Sequence, residues 1–87
     1  MKFSILLSDE ATNELEGLPP KVQRQIVAKL RLLEDNPFHN AEKLKGHSAF
    51  RVRSGNYRIV YEVDEASKVV DVALIGDRKE VYRRMGR

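Results

Sequence analysis

Residues 51–63 read RVRSGNYRIVYEV. Val52 and, beyond the Gly55-Asn56 pair, Ile59 and Tyr61 alternate with polar neighbours, the period-2 signature of half-buried strands. Gly55-Asn56 fits a two-residue hairpin loop, glycine supplying the positive φ that a tight turn demands. With that turn, Arg53 lies opposite Arg58, Val52 opposite Ile59, and Arg51 opposite Val60. Opposed strand residues share a face, so Arg51, Arg53 and Arg58 project from one side. Phe50, Val52, Ile59 and Tyr61 project from the other. Like charges paired across strands destabilise a sheet by up to about 1 kcal/mol, so the cluster requires a reason.

Working outward from the hairpin, Asp64 to Lys68 reads as a turn and VVDVALI, residues 69–75, as a third strand of a meander. Upstream, Lys2 to Leu7 is an early strand. Ser8 or Asp9 caps a helix in which Ala11, Leu15 and Leu18 recur at i, i+4 and i+7. Gly17 and Pro19-Pro20 break it. A second helix starts near Pro20, where a proline in the first turn costs little. Its stripe is Val22, Ile26, Leu30 and Leu33, with Val27 beside them, and Pro37 ends it. His39 to Ser48 reads as a loop with one helical turn around Ala41 to Leu44. Gly76-Asp77 reads as the start of a short basic helix, Arg78 to Met85. The order βααβββα predicts an α+β fold: an N-terminal strand and a helical hairpin packed on one face of a largely antiparallel sheet. The other face is then left to the arginines.

Eighty-seven residues make one domain, 1–87, burying about 60–65% of the unfolded surface. The apolar share of 41% beside 33% charged residues suits a soluble globular chain. Without cysteine there is neither a disulfide frame nor a zinc-thiolate site, which is compatible with a reducing cytosol. No apolar run approaches a membrane span, and MKFSILLSDE turns acidic too soon for a signal peptide. The net charge of +3 is unevenly spread. Residues 43–58 hold Lys43, Lys45, Arg51, Arg53 and Arg58 without an acid. Residues 78–87 hold Arg78, Lys79, Arg83, Arg84 and Arg87 against Glu80 alone. Such segregation favours a polyanion or an acidic protein as partner.

Three arginines with no acid among them depart from a solvated strand face, which mixes signs. Guanidinium groups match phosphate oxygens bidentately, so a phosphate-contacting role follows. Lys43 and Lys45 join Arg51 and Arg53 as candidates for contact with a phosphate backbone. Tyr57 and Tyr61 could stack on bases, although the alternation assigns Tyr61 to the core. Tyr82, among the arginines of the terminal helix, is the more informative aromatic, able to stack on a base or lend its hydroxyl to chemistry. The sequence holds no HExxH, phosphate-loop, GxSxG or dinucleotide motif. His39 and His47 lie eight apart and read as loop histidines, since a metal site needs three or four convergent groups. No metal and no cofactor is expected.

The run LKGHSAFRVRSGNYRIVYEV (residues 44–63) followed by VALIGDRKEVYRRM (residues 72–85) resembles the RelE/ParE superfamily of bacterial toxins, and most closely its RelE branch. The resemblance covers nearly the whole chain. It implies the toxin of a type II toxin–antitoxin pair, a cytoplasmic endoribonuclease (mRNA interferase) that cleaves messenger RNA in the ribosomal A site and so inhibits translation. It also implies a RelB-like antitoxin, ribosome and mRNA as partners, no membrane, and an antitoxin complex that binds its own operator DNA. By the family's pattern Arg58, Arg78 and Tyr82 are catalytic. Arg51 and Arg53 fall where the best-known member has lysines, and Asp77 where many relatives have histidine. Arginine stays protonated and does not serve as a base, so charge stabilisation carries over and the general base is left open. Arg58 and Arg78 would stabilise the phosphate charge that develops as a 2′-hydroxyl attacks; Tyr82 would stack or transfer a proton. Two other readings share these residues: a ParE-like non-enzymatic toxin of DNA gyrase, and a basic RNA-binding module without chemistry.

Overall fold

The computed structural model describes residues 2–46 and 48–77. Two helices pack on a five-stranded mixed sheet, in the order β1 (Ser4–Leu7), α1 (Asp9–Glu16), α2 (Pro20–Asp35), β2 (Glu42–Lys43), β3 (Phe50–Ser54), β4 (Tyr57–Asp64) and β5 (Val69–Asp77). The sheet order is β1-β5-β4-β3-β2. The meander is antiparallel as expected, while β1 lies parallel to β5. His47 and the helix expected over Arg78 to Met85 lie outside the described residues.

Local chemistry sets the helix limits. The Ser8 hydroxyl accepts a hydrogen bond from the Ala11 N–H at 3.0 Å, capping α1, and Asp9 and Glu10 complement the positive end of the helix dipole. Gly17 closes α1, and Pro20 opens α2. The Gln23 amide donates to the carbonyls of Glu16 and Leu18, at 3.1 and 3.0 Å, and ties the short connection down. Ile26, Leu30 and Leu33 on α2 and Ala11 on α1 meet Val52, Ile59, Tyr61, Val70, Val72 and Ile75 of the sheet in one core. Burial of such side chains, worth about 1.5–3 kcal/mol each, holds helices that would be marginal alone.

The core face of β5 reads Val70, Val72, Ile75, a spacing of two and then three. A bulge reconciles it: Val60 pairs with Leu74 but Tyr61 with Val72, leaving Ala73 as the extra residue. Ser8, directly after β1 and beside β5, donates its hydroxyl hydrogen to the Ala73 carbonyl at 2.9 Å. One serine thus caps a helix and satisfies the bulge.

Three local expectations are corrected. Ala41 to Leu44 forms no helical turn; Glu42–Lys43 is instead a two-residue edge strand paired with β3. Its hairpin partner supplies hydrogen bonds that the residues' own pattern does not announce. Gly76-Asp77 does not start a helix, because β5 runs on to Asp77, pairing Gly76 with Arg58 and Asp77 with Tyr57. The face away from the helices is not uniformly open either: Val60 and Arg58 are buried there, at 3% and 6% exposure.

Candidate nucleic-acid interface

The hairpin of β3 and β4 has the register its sequence predicts, with Arg53 opposite Arg58, Val52 opposite Ile59 and Arg51 opposite Val60. Gly55 takes φ 61°, the left-handed conformation that II′ hairpins assign to glycine at the first loop position. Alternation then puts Arg51, Arg53 and Arg58 on one face and Val52, Ile59 and Tyr61 in the core on the other. Opposed residues of an antiparallel pair have Cβ atoms about 4.5–5.5 Å apart, so Arg53 and Arg58 set out from neighbouring points at the centre of the group. Their environments differ. Arg53 is exposed, Arg51 half-buried and Arg58 buried, with Arg58 Nη1 donating to the Tyr57 carbonyl at 3.5 Å.

Glu42 stands directly opposite Arg51 and accepts a hydrogen bond and ion pair from its Nη2. That bond and the Arg51 charge, with smaller contributions from Arg53 and Arg58, hold the Glu42 carboxyl below the usual carboxylate range. The arginine face therefore does contain an acid, which corrects the sequence reading. The residue was missed because Glu42 lies outside the acid-free run 43–58 and reaches the face only through β2. The signal that could have found it is Lys45-Gly46, a turn between two short extended stretches; Gly46 takes φ 79°.

The same alternation turns Lys43 to the face opposite the arginines. Lys43 pairs with Phe50 on the opposite face, its Nζ 5.7 Å from the Phe50 ring centroid. Lys45 is exposed in the turn after β2. Tyr61 belongs to the core: it is fully buried, stacks on Phe50 with centroids 6.0 Å apart, and donates its hydroxyl to the Pro37 carbonyl at 2.6 Å. Burial pushes its pKa up to about 12. Arg78 and Tyr82 lie outside the described residues.

Further along the same face the sign reverses. Glu62 on β4 is directly opposite Asp71 on β5, both exposed, and both line a cleft with Ser8, Val72 and Ala73. Glu62 lies four residues beyond Arg58, about 13 Å at the rise of a strand. The face is thus basic at the hairpin end and acidic at the other. Among the described residues no group of three or more His, Cys, Asp or Glu is placed to hold a metal, and no helix is long and apolar enough to cross a membrane.

Comparison with known proteins agrees with this geometry. The family described as ParE toxin of type II toxin-antitoxin system, parDE, matches residues 5–82. The chain is 32% identical over 87 residues to the mRNA interferase toxin RelE of Escherichia coli K12, covering 94% of this chain and 92% of that protein. Its fold superposes on the intact Escherichia coli RelBE toxin–antitoxin complex with TM-score 0.75 and 29% identity, covering 86% of this chain and 95% of that one. It also superposes on the RelBE2 complex of Mycobacterium tuberculosis with TM-score 0.83 at 22% identity, covering 90% and 100%. From the hairpin outward, fold and sequence agree: the chain belongs to the RelE/ParE superfamily of type II toxins, in its RelE branch.

Proposed function

We propose that this chain is an endoribonuclease that cleaves messenger RNA in the ribosomal A site and thereby arrests translation. The observation that carries the reading is the pairing of Arg53 with Arg58, with Arg51 on the same face. Two arginines paired across the hairpin offer a phosphate guanidinium donors from both strands. The stabilisation they give grows as the phosphate gains charge in the transition state. The relative named mRNA interferase toxin RelE supports RNA as the substrate.

In this mechanism a ribose 2′-hydroxyl attacks the adjacent phosphate, giving a 2′,3′-cyclic phosphate and a 5′-hydroxyl. Arg58 and Arg78 stabilise the added charge on phosphorus. Arg51 and Arg53 bind and orient the backbone, with Lys45 beside them. Tyr82 stacks on a base or transfers a proton. The acids at the far end of the face, Glu62 and Asp71, repel a polyanion and confine it to the hairpin end. The partner is a RelB-like antitoxin, as RelBE complexes have been solved for relatives; the pair binds its own operator DNA, and the toxin acts in the cytoplasm.

The test is a purified translation system programmed with a reporter message. Cuts within codons, read by primer extension and seen only with ribosomes, are the expected result. The parDE description of the matching family favours a second reading, inhibition of DNA gyrase. A supercoiling assay run in parallel decides between them: intact message with failed supercoiling overturns the nuclease.

A further inference from the structure

Among the described residues, the Glu42–Arg51 pair works against a phosphate approaching the basic face. Glu42 lies on the edge strand, directly across from Arg51, and its carboxylate occupies Nη2 of a guanidinium in the RNA-binding set. The two partners differ in freedom. The Glu42 side chain is 70% exposed and the Arg51 side chain 18%. The carboxylate can therefore swing into water while the guanidinium stays on the sheet. A two-residue strand at the sheet edge, held by one neighbour, gives that movement little resistance.

We infer that Glu42 is a built-in counter-ion for Arg51, which single-stranded RNA must displace with one of its own phosphates, so that Glu42 sets the affinity of the site. The inference rests on the proposed RNA-cleaving reading for its substrate, and it explains two observations together. An acid sits among the arginines even though an anion is what they are assembled to bind. Arg53 and Arg58 still face each other while Arg51 is neutralised, so the protein without RNA carries a smaller excess of charge on this face. A phosphate that replaces Glu42 recovers the bond lost by Arg51 and adds contacts to the other two. A shorter or isolated anion makes only the exchange, which is nearly neutral. The carboxylate thus favours a continuous backbone spanning all three arginines over free phosphate.

The experiment measures binding of a short 2′-O-methyl single-stranded RNA, which cannot be cleaved, across a salt series. Glu42→Gln should bind about two- to fivefold more tightly at low salt, the scale of an exposed ion pair. Its plot of log affinity against log salt should steepen by up to about 0.7, because the phosphate then no longer competes with a tethered carboxylate for Arg51. In the ribosomal assay KM should fall by a similar factor while kcat keeps its value within about twofold. Glu62→Gln, the same charge change at the acidic end, should shift affinity less, and Arg51→Gln should abolish the gain from Glu42→Gln. Unchanged or weaker binding by Glu42→Gln overturns the inference, as does an equal gain from Glu62→Gln. A collapse of kcat at constant KM also overturns it, since the carboxylate would then act in the chemistry. Absence of ribosomal cleavage by the wild-type chain, with the binding and salt shifts intact, overturns the nuclease reading and leaves the counter-ion standing.

Discussion

Replacing Tyr61 with Phe removes one oxygen from the centre of the fold, and its consequence can be worked from the structure with a sign that changes with pH. The hydroxyl donates to the Pro37 carbonyl at 2.6 Å, and both residues are buried. Phenylalanine keeps the stack on Phe50 and leaves that carbonyl without its donor, at a cost of about 1–2 kcal/mol. That is the expected loss of stability at neutral pH. The phenol also titrates: its pKa is about 12 in the folded chain, against a reference value of 10.0. Below pH 10 the group is neutral in both states and contributes no pH dependence. From about pH 10 to 12 the unfolded chain ionises and the folded chain does not, so stability falls as pH rises. The gap between those two pKa values corresponds to about 3 kcal/mol lost across that window. Tyr61→Phe lacks this loss, while the other titrating groups are common to both proteins. The stability difference should shrink above pH 10, vanish near pH 11 and reverse beyond it. Urea unfolding of both proteins from pH 7 to 11.5 measures it. A difference that stays constant from pH 9 to 11.5, or no cost at pH 7, would refute the assignment of a buried, hydrogen-bonded hydroxyl.

The remaining expectations concern the face and the fold that carries it. Arg58→Ala should lower the cleavage rate on the order of 100-fold if its charge meets the transition state, whereas Arg51→Ala should act chiefly on KM; equal small effects in single-turnover cleavage would indicate a diffuse electrostatic surface. Tyr82→Phe should retain most activity and Tyr82→Ala little if the ring stacks, both should fail alike if the hydroxyl moves a proton, and near-full activity in both would remove Tyr82 from the site. Ser8→Ala should destabilise by about 1–2 kcal/mol in thermal or urea unfolding, since it removes both the α1 cap and the donor to the bulged Ala73 carbonyl. A loss within error would mean that water replaces both bonds.

Residue pattern alone determined the hairpin, its register and therefore the shared face of Arg51, Arg53 and Arg58. A period of two, repeated across a loop closed by glycine, admits only one pairing that buries Val52, Ile59 and Tyr61 together. The helical hairpin was legible for a similar reason: α2 spans 16 residues, enough turns for Ile26, Leu30 and Leu33 to declare one face, and prolines mark its limits. Tertiary structure decided the rest. Two residues cannot show a period, so β2 exists only because β3 offers an edge to pair with, and through it Glu42 came to oppose Arg51. Gly76-Asp77 has the local chemistry of a break, yet β4 continues alongside and supplies partners that keep it extended. The burial of Arg58 and Val60 on a face expected to be open is likewise not carried by the period of two. Sequence period dictates which side of a strand a residue takes. Pairing partners, and the packing on each side, dictate where the strand ends and what its side chains meet.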